Sequence, residues 1–303
     1  MQQEFYSNGK LLLSAEYAIL DGAQGLAIPT KYGQSLTINP IEKPILLWKS
    51  ITHDGDIWFE AEFTLDNLSI GNTTNEEVAN TLQGLLIEAK KQNSNFLEER
   101  MGFEAMSRLT FPRDWGLGSS STLINNIAQW AQIDAYQLLW NAFGGSGYDI
   151  ACAQYDTPIM YSLKNKRPMV QAVAFDPPFK DSLFFVYLNQ KQSSKQAIAA
   201  YRQQSFDKNQ LILEINGITQ QMISCDSLDD FIILLEKHES LLSKVLGLEP
   251  VKSSLFPDFS GAIKSLGAWG GDFALVTGDE NSVNSFVERG FETVLPYNQM
   301  VLT

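Results

Sequence analysis

The 303-residue sequence contains little cysteine and little histidine, and each shortage excludes a class of protein. Two cysteines, Cys152 and Cys225, cannot build a disulfide framework, so the composition favours a reducing, cytoplasmic compartment. The two histidines are His53, in a turn-like stretch, and His238, in a helix-like run. With so few imidazoles, we expect neither a histidine metal site nor a histidine-based catalytic triad.

Long apolar runs and excess positive charge are also lacking. No stretch approaches the roughly 20 apolar residues that a membrane span needs. Residues 1–4 lack the basic and apolar regions of a signal peptide. The formal net charge of −13 makes nucleic acid and anionic membrane surfaces unexpected partners. An anionic small substrate would therefore need a local cationic pocket.

What is present is ordinary for a globular enzyme, with 44% hydrophobic and 19% charged residues. The length suffices for two modest domains or one large one. Asp176-Pro177-Pro178 interrupts a strand-like pattern, and we place a domain boundary there. The predicted domains are residues 1–176 and 177–303.

The most informative stretch is a junction between a predicted strand, residues 103–111, and a predicted helix, residues 123–132. It reads Gly116-Leu117-Gly118-Ser119-Ser120-Ser121. Glycine lets the backbone turn sharply and approach a ligand closely. The first N–H groups of a helix lack intrahelical partners and lie at the positive end of its dipole, so the junction suits an anion such as phosphate. A plain serine N-cap after a glycine turn is the alternative.

The helix after this junction has a clear apolar stripe. Leu123 and Ile127 recur at helical spacing, with Trp130 one turn further on. Asn125 and Asn126, with Gln129 beyond them, occupy the other side. We therefore expect the leucine–isoleucine–tryptophan stripe to be buried and these amides to form the polar side.

Three better-known motifs do not fit. A Walker loop requires Gly-Lys-Ser/Thr, which is not present after the first glycine. The dinucleotide fingerprint requires a third glycine where Ser121 stands. The hydrolase elbow requires a final glycine where Tyr148 stands.

With Pro112 ahead of it, the junction resembles the phosphate-binding loop of the galactokinase, homoserine kinase, mevalonate kinase and phosphomevalonate kinase (GHMP) superfamily. That loop usually reads Pro-x-x-x-Gly-Leu-Gly-Ser-Ser-Ala, and Ser121 replaces the alanine. The resemblance implies that all six junction residues bind ATP. It also implies Mg²⁺, with Ser120 as its one assignable protein ligand. Gln137 and Leu138 occupy the neighbourhood of the glutamate that binds magnesium in mevalonate kinases.

A second stretch, Gly9-Lys10-Leu11-Leu12-Leu13-Ser14-Ala15-Glu16-Tyr17, resembles the family's first motif, Gly-Lys-x-x-Leu-x-Gly-Glu-His/Tyr. The resemblance gives Lys10 a catalytic role in offsetting phosphate charge and places Glu16 among the substrate-binding residues. Ala15 replaces the usual glycine. From pattern alone, residues 5–20 read as a strand, a break at Gly9, and a buried strand or hairpin, with Lys10 and Glu16 as solvated edge charges.

The stretch Ser146-Gly147-Tyr148-Asp149 resembles the family segment whose aspartate is catalytic in mevalonate and phosphomevalonate kinases. Phosphoryl transfer needs an acceptor hydroxyl held in line and relieved of its proton, which an aspartate can do. Asp149 is therefore the predicted catalytic carboxylate, and Ser146 and Gly147 are predicted to bind substrate. On local pattern alone, Asp149 would be the N-cap of a short helix over residues 150–154.

A fourth stretch, Gly267-Ala268-Trp269-Gly270-Gly271, resembles the family's third motif, Gly-Ala-Gly-x-Gly-Gly, shortened by one residue. Gly270 and Gly271 are assigned to substrate binding. Trp269 replaces the middle glycine, where it would narrow the pocket, stack on a ligand or block it. Lys195 follows an apolar strand, and in the family a basic residue in the same place borders the substrate pocket. The resemblance therefore assigns Lys195 to substrate binding. A solvated basic residue at the start of a helix is an equal alternative.

Together the motifs imply an α+β, two-domain GHMP kinase fold, with an N-terminal mixed-sheet ATP-binding domain, a ferredoxin-like C-terminal domain and the active site between them. The implied function is ATP-dependent phosphorylation of a small, anionic acceptor, mevalonate or phosphomevalonate, by a monomer or homodimer. A phosphorylated acceptor would need further cations, for which Lys191, Lys195 and Arg202 are candidates. Two alternatives stay open: a ligand-binding or interaction protein that has lost transfer, and a diphosphomevalonate decarboxylase.

Overall fold

Most of the chain is described by the computed structural model. The described residues are 1–98, 101–190, 194–267 and 269–303, without the side chains of Ser194 and Lys195. They form two compact units, each discontinuous in sequence. The first unit consists of Met1–Gly9, Tyr32–Arg113 and Leu117–Gln154, and the second of Lys10–Lys31, Asp114–Gly116 and Tyr155–Thr303. The boundary placed at residues 176–177 stays a prediction about domains.

Strands and helices are mixed along the described chain. The strands are β1 (Gln3–Leu12), β2 (Gly25–Ile41), β3 (Ile45–Ile51), β4 (Ile57–Thr64), β5 (Ile70–Thr73), β6 (Gly102–Leu109), β7 (Ile159–Lys164), β8 (Arg167–Ala172), β9 (Leu183–Tyr187), β10 (Ile263–Ser265), β11 (Phe273–Thr277) and β12 (Val294–Pro296). The α-helices are α1 (Glu76–Gln92), α2 (Ser119–Ala131), α3 (Ala135–Ala142), α4 (Tyr148–Gln154), α5 (Ser194–Gln203), α6 (Lys208–Ser224), α7 (Leu228–Leu246), α8 (Val251–Leu255), α9 (Glu280–Glu288) and α10 (Tyr297–Met300). None of these helices is both long and apolar enough to span a membrane.

The strands build one larger mixed sheet and one smaller antiparallel sheet. The larger sheet has the order β5-β4-β3-β6-β2-β7-β8, with β1 paired to β2. It is mixed because β3 runs parallel to β6, whereas β6 and β2 run antiparallel. A parallel pair requires a long crossover connection, which β4, β5 and α1 supply here.

In the first unit, helices cover one face of the strands. The apolar faces of α1, α2 and α3 pack on β3, β4 and β6 in one buried cluster. Trp48, Phe59 and Phe63 are its largest buried strand residues, and Leu86 and Ile127 reach it from the helices. Burial of this apolar surface holds α2, and with it the glycine-serine junction, in place.

In the second unit, four antiparallel strands have the order β10-β11-β9-β12. Along the chain they follow as strand, helices, two strands, helix and strand, which is the ferredoxin-like arrangement. The predicted α+β fold with a ferredoxin-like C-terminal part is confirmed. Within the same unit, β7 pairs with β8 and with residues 25–27 of β2.

The two ends of α7 have well-defined capping residues. The Ser227 hydroxyl accepts a hydrogen bond from the Asp230 amide at the start of α7, and Gly247 ends that helix with φ 66°. A left-handed residue at a helix end favours glycine because it has no Cβ. Ser227 and Gly247 therefore define the two ends of α7.

Two sequence-based expectations were wrong. The predicted break at Gly9 is absent, because β1 runs continuously from Gln3 to Leu12, and residues 18–21 form a 3₁₀ turn rather than a strand. The predicted polar side of α2 is also wrong for Asn125 and Asn126, which are both buried. Their amides have hydrogen-bond partners inside the unit, which the helical pattern could not reveal.

Candidate functional site

The junction predicted to bind phosphate forms the start of α2 in the first unit. Its N-cap is Gly118, at φ 92°, which has no side chain to cap the helix. Ser119 is half-buried and Ser120 is exposed at this positive end of a 13-residue helix. The Ser121 hydroxyl is buried and donates to the Gly118 carbonyl at 2.9 Å, so it braces the loop from inside.

The first residue of the junction, Gly116, lies in the second unit together with Lys10. The Lys10 amine donates a hydrogen bond to the Gly116 carbonyl at 2.8 Å. Gly116 has φ 66°, and a Cβ there would collide with the carboxylate of Asp272. A Cβ on Gly267 would lie 3.5 Å from the same carboxylate. Residues from all three motifs therefore meet inside this unit.

Asp272 is held in this position by its own backbone. Its N–H donates to the Gln190 carbonyl at 2.6 Å, and its carbonyl accepts from the Leu188 amide at 2.8 Å. The residue has φ 54°, a conformation that side-chain-bearing residues adopt infrequently. The strand end at Leu188 thus fixes the aspartate that follows Gly270 and Gly271.

The first motif forms a strained turn in the second unit. Ala15 has φ 70° and Tyr17 has φ 61°. A non-glycine residue in the left-handed region costs roughly 1–2 kcal/mol. The family's usual glycine at position 15 suits this conformation, and here the alanine is held in it by a hydrogen bond from its amide to Nε2 of His238, 2.9 Å away.

Glu16, between these two strained residues, belongs to a buried charged cluster. Its Oε1 lies 2.5 Å from the Lys264 amine, and Lys264 is completely buried. His238 and Glu239 complete the cluster, with Oε1 of Glu239 3.7 Å from the same amine. The alternative of a solvated edge charge is therefore wrong for Glu16. Its assignment to substrate binding stays a prediction.

Burial has the largest effect on the pKa values of Glu16, His238 and Glu239 in this cluster. It raises the pKa of Glu16 above its ordinary value, although Lys264 opposes the shift. It also raises the pKa of Glu239 to about 7, again against Lys264. Burial and the Lys264 charge lower the pKa of His238 well below its ordinary value. A neutral His238 agrees with its role as acceptor for the Ala15 amide.

Two atoms of the cluster are left without hydrogen bonds among the described residues, namely Oε2 of Glu16 and Nδ1 of His238. Glu239, by contrast, interacts with the backbone and the hydroxyl of Ser265. His238 Nε2 lies 3.3 Å from Oε2 of Glu16, but it has no proton to donate while it accepts from Ala15. Unsatisfied buried polar atoms are destabilising, so this arrangement is retained at a cost in stability.

Trp269, the largest departure from the third motif, is packed into the second unit. Its indole N–H donates to the Glu249 carbonyl at 3.0 Å, in the connection between α7 and α8. Its backbone amide donates to the Tyr17 hydroxyl at 3.0 Å. Tyr17 in turn stacks on Tyr201, with ring centroids 5.5 Å apart. The tryptophan thus ties the third motif to the first.

Asp149 lies in the first turn of α4, in the first unit. The helix begins one residue earlier, at Tyr148, so the alternative in which Asp149 caps a helix from residue 150 is wrong. Its carboxylate accepts from the Ile150 amide at 3.1 Å. Gly144, Gly145 and Gly147, which precede it, all have positive φ, which explains the glycine content of this segment.

Of the three remaining predicted cations, the structure describes the side chain of Arg202 alone. Lys191 and the Lys195 side chain lie outside the described residues. Arg202 pairs with Asp21, which also accepts from Tyr201 and Lys208. Burial of Asp21 works against its ionisation, but these hydrogen bonds outweigh it and lower its pKa.

Sequence reasoning missed His238, Glu239 and Lys264. A signal existed for His238, since it continues the buried stripe of α7 that includes Leu235 and Leu242. A polar residue at a core position predicts a partner. No comparable signal exists for Lys264, which lies in a strand of three residues.

Comparisons with known proteins give no sequence match: no protein-family model and no curated protein matches the chain. Solved structures do match. Methanococcus jannaschii mevalonate kinase has a TM-score of 0.73 at 15% identity, over 100% of this chain and 99% of that one. Lactococcus lactis galactokinase complexed with galactose has a TM-score of 0.69 at 14% identity, over 100% and 95%. Streptococcus pneumoniae phosphomevalonate kinase in complex with phosphomevalonate and AMPPNP has a TM-score of 0.68 at 15% identity, over 95% of each chain.

The chain therefore has the fold of the GHMP kinase superfamily, as its motifs predicted. The likeness extends over nearly the full length of each protein. The matched part of this chain contains both the larger mixed sheet and the smaller second sheet, so the match is not limited to one common motif.

Proposed function

We propose that this protein is an ATP-dependent small-molecule kinase of the GHMP type, acting on a mevalonate-pathway acceptor. The observation that supports this most directly is the meeting of the three motifs in the second unit, where the Lys10 amine binds the Gly116 carbonyl. These residues are 106 positions apart in sequence. A chain that had kept only the fold would have no reason to keep this lysine beside the phosphate-binding junction.

In the proposed reaction, the phosphates of ATP bind at residues 116–121. The exposed start of α2 offers backbone N–H groups and the positive end of a helix dipole. The uncapped glycine at position 118 leaves these groups to a ligand rather than to a side chain of its own. Lys10 supplies a positive charge that offsets the charge of the transferred phosphoryl group.

Asp149 acts on the acceptor. Its carboxylate orients the acceptor hydroxyl in line with the transferred group and takes its proton, which moves from the hydroxyl oxygen to a carboxylate oxygen. If the acceptor is a phosphate group, as in phosphomevalonate, little deprotonation is needed and Asp149 chiefly positions it. Ser146, Gly147, Gly270 and Gly271 are proposed to border this acceptor.

We propose that a magnesium ion is bound mainly through the phosphates of ATP. Among the described residues, no group of three histidine, cysteine, aspartate or glutamate side chains is placed to hold a metal. Mg²⁺ usually keeps several waters and takes one or two protein ligands beside substrate phosphates. The exposed Ser120 hydroxyl at the helix start is the proposed protein ligand. When bound, the ion neutralises charge on the outer phosphates.

The test measures ADP release with ATP and Mg²⁺ against mevalonate, phosphomevalonate, homoserine and galactose in parallel. Turnover with mevalonate or phosphomevalonate is the expected result and identifies the acceptor. ATP-induced thermal stabilisation without any turnover would instead support the ligand-binding alternative. An absence of both turnover and stabilisation would contradict the proposal.

Asp149→Asn tests the assigned carboxylate. We expect turnover to fall by about 10²–10⁴-fold, because the amide cannot accept the proton, while ATP still stabilises the variant in a thermal shift. Asp114→Asn provides a matched control, since it changes an exposed aspartate before the junction. Retained turnover in Asp149→Asn would reject this role.

A further inference from the structure

Helix α2, which begins at the phosphate-binding junction, carries two buried asparagines in the first unit. The exposed fraction of Asn125 is 1% and that of Asn126 is 0%. An amide buried without partners is costly, and an apolar side chain would pack at such positions without that requirement. Their presence therefore calls for a role that an apolar residue cannot perform.

The two amides join a continuous series of hydrogen bonds. The Gln154 amide donates to Oδ1 of Asn125 at 2.9 Å, and Nδ2 of Asn125 donates to the Ser7 hydroxyl at 2.8 Å. Ser7 donates to Oδ1 of Asn126 at 2.7 Å, and Nδ2 of Asn126 donates to the Gln34 carbonyl at 2.9 Å. Each group donates in the same direction, an arrangement in which neighbouring bonds strengthen one another. We call these residues the amide network.

The amide network also reaches the start of α2. The Thr122 hydroxyl lies 2.6 Å from Oε1 of Gln34. Thr122 follows Ser121 directly, and its own amide makes the first helical hydrogen bond, to the Gly118 carbonyl at 3.0 Å. The network is therefore anchored one residue away from the proposed phosphate-binding residues.

The other anchors stand on elements that carry the proposed catalytic residues. Gln154 is the last residue of α4, and Asp149 lies in the first turn of this seven-residue helix. Ser7 lies on β1, the strand that also carries Lys10. A short helix moves as one body, so a bond at its last residue restrains its first turn as well.

We propose that Asn125 is a positioning residue for phosphoryl transfer: it fixes α4, and with it Asp149, relative to the phosphate-binding start of α2. This role rests on the proposed kinase function. Apolar packing alone permits small slides and rotations between helices, whereas an amide that both donates and accepts specifies one arrangement. A displacement of about 1 Å at a reacting group can reduce turnover about 10²-fold.

Two substitutions break the network at different points. Asn125→Leu removes both of its bonds within a similar volume. Gln154→Met removes only the bond between α4 and α2, at a residue that is itself exposed, so it keeps the test valid if Asn125→Leu does not fold. Gln129→Met changes an exposed amide on the same helix and is the matched control.

We expect both network variants to lower kcat by about 10–100-fold, with little change in the KM for ATP, and the control to change neither. The double variant should lose no more than the worse single variant, because both remove the same coupling. A lower melting temperature with unchanged kcat would overturn the proposal and leave the amides a purely structural role.

Hydrogen exchange separates this proposal from the proposed function. With a non-hydrolysable ATP analogue and Mg²⁺, the wild-type amides of residues 118–122 and of α4 should both become protected. In Gln154→Met, protection at 118–122 should persist while protection of α4 is lost. Unchanged α4 protection in that variant would reject the positioning role alone. Absence of protection at 118–122 in the wild type would reject the proposed function, and the positioning role with it.

Discussion

The two units each bury a polar cluster beside a family motif, and the clusters differ in kind. In the first unit, the amide network is uncharged, and none of the side-chain atoms of Ser7, Asn125 or Asn126 is among the unsatisfied buried atoms of the described chain. In the second unit, the charged cluster of Glu16, Lys264, Glu239 and His238 leaves Oε2 of Glu16 and Nδ1 of His238 unsatisfied. The side chains of the amide network are hydrogen-bonded to one another, whereas the charged cluster depends on the ion pairs that Lys264 makes with Glu16 and Glu239.

This difference predicts how each motif responds to pH. Amides and hydroxyls do not titrate in the accessible range, so the amide network should be insensitive to pH. The charged cluster contains carboxyls whose pKa is raised and a histidine whose pKa is lowered, so its protonation differs between the folded and unfolded states. Four substitutions test the contrast, from the largest expected effect to the smallest.

Lys264→Met should produce the largest loss. It leaves Glu16 and Glu239 buried without their cation, which typically destabilises by about 3–5 kcal/mol. The loss should be smaller at pH 5 than at pH 8, because protonated carboxyls need no cation. Chemical denaturation at both pH values measures it.

Lys252→Met is the matched control for that substitution. It removes a partly exposed pair with Glu236, 3.0 Å apart, which should contribute at most about 1 kcal/mol. Equal losses of stability in the two variants would show that the buried Lys264 contributes no more than the partly exposed Lys252.

Glu239→Gln tests the pH dependence itself. The folded-state pKa of Glu239, about 7, lies above its ordinary 4.5, so its contribution to stability is full below pH 4.5 and is lost as pH rises through 7. Glutamine cannot ionise and avoids this loss. The stability of the variant relative to the wild type should therefore improve by roughly 2–3 kcal/mol between pH 5 and pH 8.

The other titrating groups of the cluster, Glu16 and His238, are common to both proteins and largely cancel in that difference. His238 acts in the opposite sense, because stability falls as pH drops below its ordinary 6.5 toward its lowered folded-state pKa. Glu236→Gln, at an exposed position on the same helix, should show no such trend. A difference that stays flat with pH in Glu239→Gln would refute the assigned shift.

Asn126→Leu probes the uncharged cluster. It removes the acceptor of the Ser7 hydroxyl proton and a donor to the Gln34 carbonyl, which should destabilise by roughly 1–3 kcal/mol. Unlike the substitutions in the charged cluster, this loss should be the same at pH 5 and pH 8. A loss of stability that differs between pH 5 and pH 8 would contradict the predicted difference in pH response between the two clusters.

Ala15→Gly should have the smallest effect. Glycine relieves the left-handed strain at φ 70° but gains freedom in the unfolded state, and the two terms nearly offset. We expect a change in unfolding free energy within about 1 kcal/mol, in the stabilising direction. A clear loss of stability would show that the Ala15 side chain contributes packing that outweighs its strain.

The sequence by itself determined the elements and the places of the motifs. The junction at 116–121 and the helix that begins after Ser227 and ends before Gly247 are encoded by local signals. These signals are glycine freedom, capping side chains and apolar periodicity, each of which acts over a few residues. Local signals therefore predicted the elements, whereas the resemblance of the motifs to the GHMP family implied the fold class.

Only the tertiary structure decided which polar side chains are buried and what they bind. Glu16 and Lys264 are 248 positions apart, and Asn126 and Gln34 are 92 positions apart. No local pattern connects such pairs, because whether a lysine or an asparagine is tolerated in a core depends on partners that the fold brings to it. The sequence specified where the motifs stand, and long-range packing specified the polar clusters that support them.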